Sequence, residues 1–356
     1  MKIFQLIDNP YVGNPYIRTL MDGISDIDKE FQWGYGVDAF WTDDILQYDI
    51  VHIHWPHIIV NRFSKSSIIK QFEQRLIFLK QKDIKIVVTC HNLKPHYETD
   101  TTKIDTYRIA YEQADCILHL GEYSLKLMQE KYPNSKHFLL LHHTYDKLYS
   151  VVGCEESKKK LHLNLSKKYI LCFGDFRDNE ERRLVDIILK HYYSQGIEII
   201  APLYYKQIKW RNKLKMILTW IQLQIKKITT KGLHIYGKYV EDDLLPYYYG
   251  VADICLIHRK QILNSGNLPM AFYMGKIVVG PNVGNVGQIL EQTGNPTFNP
   301  EDNNSIFAAI NSAFSLYGQG KGIKNKEYAQ ENLTIEIISK KLYNIYQIAL
   351  QNFICS

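Results

Sequence analysis

Short β-branched runs alternate with longer amphipathic stretches along this chain, and that alternation admits few folds. Residues 2–8, 50–54, 84–90, 116–120 and 137–141 read as strands apolar on both faces, with helical spacing over 66–81, 105–113 and 123–131 between them. Strands of that kind, separated by helices, make a parallel sheet covered on each side. The pattern resets after residue 150. Residues 155–168 are charged, with Lys158, Lys159 and Lys160 in a row, and read as a connector. A second strand set follows at 169–174, 197–201, 233–236, 254–257 and 277–279, and a helix over 335–353 closes the chain. At 356 residues the chain exceeds what one core ordinarily spans. The expectation is α/β: two doubly wound domains facing across a cleft, at 1–150 and 169–332, joined by a linker over 151–168. Residues 333–356 are expected to pack back toward the first domain.

Other classes are excluded by simple counts. The longest apolar stretches, such as 216–221, fall far short of the ~20 residues of a membrane span. Asp8 and Pro10 interrupt the start, so no secretory leader is expected. Six cysteines are present without a single CxxC pair, and four of them sit in strand-like runs. Buried, reduced thiols in a cytoplasmic protein follow. With 46% hydrophobic and 22% charged residues, long disorder is not expected.

Doubly wound sheets hold ligands beyond the carboxyl ends of their strands, so those loops carry the chemistry. Residues 252–286 read ADICLIHRKQILNSGNLPMAFYMGKIVVGPNVGNV. A strand is followed by a basic loop, then Ser265-Gly266 before a helix over 268–274, then a turn with Gly280, Gly284 and Gly287. Backbone N–H groups at a helix start, reached past a residue with no side chain, suit a phosphate. An ordinary helix cap is the commoner reason for Ser-Gly at such a place.

That order resembles the donor-sugar half of GT-B glycosyltransferases, above all the family 4-type (group 1) enzymes that build bacterial surface polysaccharides. Supporting motifs are Phe173-Gly174-Asp175-Phe176-Arg177 and Ile235-Tyr236-Gly237-Lys238. The first half adds His52-Ile53-His54-Trp55-Pro56, Thr89-Cys90-His91-Asn92-Leu93 and His142-His143-Thr144-Tyr145. The resemblance implies a GT-B fold and transfer of a sugar from a UDP- or GDP-sugar donor. It implies a saccharide or lipid-linked saccharide acceptor in polysaccharide, capsule or O-antigen assembly. It also implies no metal and no cofactor beyond the nucleotide-sugar co-substrate, and retention rather than inversion. Departures are definite. Asn264 and Phe272 stand where the family usually has two glutamates, Gln288 replaces a third, and Glu180 replaces a lysine, with Arg182 and Arg183 nearby. A nucleotide-sugar epimerase of the same fold and a non-catalytic glycosyltransferase-like partner protein are the alternatives.

A departing nucleoside diphosphate needs cations and N–H donors. Arg177, Lys260, Ser265 and Gly266 are the candidates, with Gly174, Asn264 and Gly237 completing the donor side. Arg259 adjoins Lys260, so which of the two basic residues reaches the phosphate stays open. His91, His96 and Asp100 follow a buried strand and are the catalytic candidates should the reaction need a protein base. Asn9, Tyr11, Asn14 and Asn92 are assigned to the acceptor. His52 and His54 face one side of their strand, with packing or loop support expected of His52, while His142 and His143 end another. Asp26-Ile27-Asp28 reads as a solvated turn rather than a metal motif.

From 199 through 240 there is no Asp or Glu and there are nine basic residues. Apolar residues recur there at helical spacing, which gives an amphipathic helix with a cationic face. A covering helix with its apolar face on the sheet is the plain expectation. An anionic membrane surface meeting residues 206–231 is the other, placing the protein in the cytoplasm or peripherally on the inner face of the membrane. Nucleic acid is not expected, for no recognition motif accompanies the charge.

Overall fold

The computed structural model describes residues 1–63, 67–95, 100–205, 213–236 and 240–351. Two compact units emerge, Met1–His143 together with Leu333–Ser356, and Thr144–Asn332.

The first unit holds β1 (Lys2–Leu6), β2 (Gln32–Tyr35), β3 (Ile50–Ile53), β4 (Lys85–Cys90), β5 (Cys116–His119) and β6 (Lys136–Leu139). All pair in parallel, in the order β2-β1-β3-β4-β5-β6. Strand order therefore reverses between β1 and β3, where an open α/β sheet leaves a crevice. The helix Ile335–Leu350 completes this unit. Thr334 caps it by accepting from the Ile337 N–H. Its Ile338, Leu342, Ile345 and Tyr346 join the core of Tyr16, Leu20 and Ile24. At Gly23 a side chain would collide with Ser339, so the two helices meet there only because residue 23 is glycine.

The second unit holds β7 (Lys168–Leu171), β8 (Ile197–Ile200), β9 (Leu233–His234), β10 (Ile254–Leu256), β11 (Ile277–Pro281) and β12 (Thr297–Phe298). Its order is β12-β11-β10-β7-β8-β9, again parallel throughout. Numbered within the unit this is 3-2-1-4-5-6, the Rossmann order, with its switch point between β7 and β10.

The segment read as a linker, 151–168, is built into this unit. Its helix Cys154–Lys160 lies against Leu245–Val251 so closely that a side chain on Gly250 would strike Ser157. Lys158, buried, donates to the Leu165 and Lys167 carbonyls at 3.0 and 2.7 Å. A charged sequence thus turns inward because its ammonium has backbone acceptors there. The edge strands β2 and β12 were absent from the sequence reading: one reads Gln-Trp-Gly-Tyr and the other has two residues, so neither carries a β-branched run. Cys90, Cys116, Cys172 and Cys255 are buried and held in no disulfide among the described residues.

Candidate active site

Beyond the carboxyl ends of β7 and β10, at the switch point, lies a pocket of about 230 Å³. Gly174, Arg177, Asn264, Ser265 and Gly266 line it together with His258, Arg259 and Asn267. Five residues chosen from sequence therefore meet in one place. Gly174 has φ +108, a conformation side chains resist. A β-carbon there would stand 3.3 Å from Asn267 Nδ2 and 3.8 Å from an Arg259 guanidinium nitrogen. The backbone leaves this room for those two side chains.

Arg259, rather than Lys260, lines the pocket. Lys260 turns away to Glu180 and Glu301, at 3.2 and 3.4 Å. Consecutive residues leaving a strand point to opposite sides, which separates the pair. Arg259 is fixed by Glu181, a carboxylate that is 1% exposed: its Nη1 donates to Oε2 at 2.6 Å. The same oxygen accepts from the Arg177 N–H at 2.8 Å. Oε1 of Glu181 makes no hydrogen bond to the described residues. His258 stacks on Phe176 with ring centroids 4.0 Å apart. Burial, and then the adjacent Arg259, push its pKa down to about 3, so it is neutral. Two guanidiniums against one carboxylate leave the pocket with a net positive charge.

The helix Asn267–Tyr273 begins at this pocket. Asn267 donates to the Phe173 carbonyl at 2.6 Å and accepts from the Tyr249 hydroxyl at 3.3 Å, tying the helix start to the end of β7. Asn264 accepts from buried Asn285 at 2.7 Å. The glycine turn serves this support: a side chain at Gly284 would run into the backbone of Ile262 and Leu263. Phe272, one of the departures from the resembled pattern, is core. Arg182 donates to the Asp178 carbonyl and lies over the Tyr205 ring, and Arg183 is exposed. Neither lines the pocket. Gly237 lies outside the described residues.

In the first unit a polar chain fills the end of the sheet. Gln5 pairs with His52 in register across β1 and β3, and the two-residue pleat puts His54, Thr89 and His91 on the same face. Tyr346, from the C-terminal helix, closes the group. His52 Nδ1 meets the Tyr346 hydroxyl at 2.6 Å and its Nε2 meets Thr89 Oγ1 at 2.7 Å. Gln5 Oε1 meets His54 Nε2 at 3.0 Å, and His54 Nδ1 meets His91 Nε2 at 3.1 Å. Burial, then His91, holds His52 at about 3, and burial drives His54 and His91 well below the usual imidazole value. His91 stacks on Trp55 and packs at near right angles to Tyr16, which itself stacks on His143.

Asp100 is occupied differently: it caps the helix Thr101–Gln113, accepting from the Thr102 N–H at 2.9 Å. His96 lies outside the described residues. Asn9 and Asn14 turn their side-chain oxygens to the Tyr11 and Tyr16 N–H groups, shaping the loop after β1. Asn92 offers its carbonyl to the Tyr111 hydroxyl at 2.6 Å. Tyr11, 57% exposed, stands 6.3 Å from Trp33 and 6.1 Å from Tyr35. Sequence reading missed this aromatic trio, because Trp33 and Tyr35 belong to the unrecognised β2. Asp28 ends its helix and accepts from the Tyr343 hydroxyl at 3.0 Å.

Parallel Rossmann-type sheets in each half, with the C-terminal helix returned to the first, define the GT-B fold. Solved structures agree over the full length. Sucrose-phosphate synthase from Thermosynechococcus elongatus matches with TM-score 0.73 and 14% identity, covering 98% of both chains. Anabaena HepE in complex with UDP-glucose matches with TM-score 0.71 and 11% identity, covering 98% of this chain and all of that one. The catalytic domain of Arabidopsis thaliana starch synthase IV, bound to ADP and acarbose, gives TM-score 0.65 and 11% identity, covering 98% of this chain and 99% of that one. At such identities the likeness is one of fold. No family model and no curated protein sequence matches this chain.

Proposed function

We propose that this protein is a glycosyltransferase that takes a sugar from a UDP- or GDP-sugar and passes it to a saccharide or lipid-linked saccharide. The observation that carries this reading is the pocket at the β7/β10 switch point, lined by Arg177, Arg259 and the Ser265-Gly266 helix start. A diphosphate seated there would meet two guanidiniums and backbone N–H donors, which stabilise the charge that grows as the glycosidic bond breaks. UDP-glucose in the HepE structure and ADP in the starch synthase structure are ligands of proteins with this fold, and support a nucleotide-sugar donor without selecting its base.

The first unit is assigned to sugar recognition. Its Tyr11–Trp33–Tyr35 cluster, with Tyr11 and Tyr35 exposed and Trp33 half-buried against the core, offers aromatic faces to an acceptor ring, with Asn9, Asn14 and Asn92 shaping the loops around it. His91 is the candidate to hold or accept a proton; His96 remains a candidate beside it, while Asp100 is assigned a capping role. We further propose retention of configuration, independence of metal, and a place in bacterial surface polysaccharide assembly at the inner face of the membrane.

Calorimetry with UDP, GDP and ADP, followed by incubation with their sugars with and without acceptor, tests this. Transfer that requires acceptor supports the reading. Acceptor-independent change of the sugar would make it an epimerase, and absence of nucleotide binding would make it a non-catalytic partner. EDTA should leave activity intact, and NMR of the product should show the donor's anomeric configuration.

A further inference from the structure

The helix Lys213–Thr229, which crosses from β8 to β9, faces the opposite way from a covering helix. Ile217, Leu218, Trp220, Ile221, Ile225 and Ile228 are exposed by 50, 51, 60, 40, 55 and 80%. At ~100° per residue these six span an arc of roughly 160°. The inward side holds Leu223, which joins the core, and Lys226, which pairs with Asp186 at 2.7 Å. A surface helix ordinarily hides an apolar stripe of this width against its sheet. Single exposed apolar residues need no explanation, but a continuous stripe marks an interaction surface.

The surroundings select the partner. No acidic residue occurs from 199 through 240, and nine basic residues do. Lys227 and Lys231 are exposed at the carboxyl end, and Lys213 and Lys215 stand in the first turn by sequence. The partner must therefore be apolar where it meets the stripe and anionic around it. A second copy of this chain would set two lysine-rich rims against each other, an arrangement like-charge repulsion opposes. An anionic bilayer meets both demands. No helix among the described residues is long and apolar enough to cross a membrane, so the helix would lie in the interface plane.

We propose that Lys213–Thr229 lies in the headgroup layer of an anionic membrane, with Ile217, Leu218, Trp220, Ile221, Ile225 and Ile228 inserted and Lys227 and Lys231 among the phosphates. Binding is then driven by apolar insertion as well as charge, and Lys226 takes no part because Asp186 holds it. The proposal rests on the transferase reading only for what the membrane would carry, a lipid-linked acceptor.

The test is co-sedimentation of the full-length protein with vesicles of phosphatidylcholine containing about one-third phosphatidylglycerol. Wild type should pellet, at least tenfold more weakly with phosphatidylcholine alone. Trp220→Ser/Ile221→Ser/Ile225→Ser should lose at least tenfold at low salt while keeping a wild-type melt, since these side chains are exposed. Lys227→Gln/Lys231→Gln should make the remaining binding less sensitive to salt. Equal sedimentation of wild type and triple variant overturns the proposal. So does a wild-type dimer that the triple variant dissolves without any vesicle binding, which would make the stripe a self-association face. UDP and GDP binding are measured on the same samples. Vesicle binding without nucleotide binding sinks the transferase reading alone, and the reverse result sinks only this one.

Discussion

Nδ1 of His54 lies 3.1 Å from Nε2 of His91, and the direction of that bond is set at Gln5. The Gln5 amide nitrogen faces Met21 Sδ at 3.1 Å and the Tyr346 hydroxyl at 3.3 Å. Its oxygen is left to accept from His54 Nε2–H at 3.0 Å. A neutral imidazole carries one proton, so His54 Nδ1 must accept and His91 Nε2–H must donate. The lone pair of His91 then rests on Nδ1. At the other end, Tyr346 donates to His52 Nδ1, and His52 donates to Thr89.

Long-range proton–nitrogen NMR should therefore find His91 in the Nε2–H form. Gln5→Leu removes all three contacts of the amide and should leave His91 a mixture of forms. It should also cost about 1–3 kcal/mol, because His54 and Tyr346 lose a buried partner. A wild-type His91 protonated on Nδ1 would reverse the whole chain.

A second prediction separates the cations. Arg177→Ala and Arg259→Ala should each weaken nucleoside diphosphate binding by about 1.5–3 kcal/mol, while Lys260→Ala changes it little. Arg259→Ala should in addition lower the melting temperature, because it strands the buried Glu181 carboxylate. Calorimetry and thermal melts on the same samples read both effects. A Lys260 variant that loses binding while the Arg259 variant keeps it would move the site.

Much of this was legible in the chain. Parallel sheets followed from β-branched runs spaced by helices; the strand-end rule led to Ser265, and the resemblance added Gly174 and Arg177. Arg259 could not be told from Lys260, because the choice depends on which side of the strand end each leaves. Glu181 looked like one more acid in Asn179-Glu180-Glu181-Arg182, and only the turn of its helix buries it against Arg259. Asp100 resembled a catalytic base because it follows a histidine loop, yet an aspartate before Thr101-Thr102 is equally a helix cap. The outward stripe at Ile217–Ile228 was invisible, since periodicity gives a helix its apolar face without saying where that face points.

A third prediction concerns acid. Burial holds His52, His119, His142 and His258 each at about 3, and His54 and His91 also well below the ordinary 6.5. The unfolded chain therefore binds more protons than the folded one between those values. Stability is full above about pH 6.5 and falls as pH drops toward 3, each such histidine contributing about 1.4 kcal/mol per pH unit. The urea midpoint should drop steeply between pH 7 and pH 5. A flat midpoint over that range would mean these imidazoles are not buried as described.

The last prediction uses two glycines. Gly174 and Gly196 both have positive φ, +108 and +79. Alanine at either should strain the backbone by about 1–3 kcal/mol. At Gly196 the added carbon meets only the end of Lys167, 3.9 Å away, and nothing there touches the pocket. At Gly174 it presses on Asn267 Nδ2, whose bond to the Phe173 carbonyl fixes the start of the Ser265-Gly266 helix. Gly196→Ala should therefore melt lower and bind nucleoside diphosphate as wild type does. Gly174→Ala should melt lower by a similar margin and bind roughly tenfold more weakly, about 1.4 kcal/mol. Equal binding by the two variants would show that ligand does not depend on the junction of Gly174 and Asn267, and would remove the pocket from the donor site.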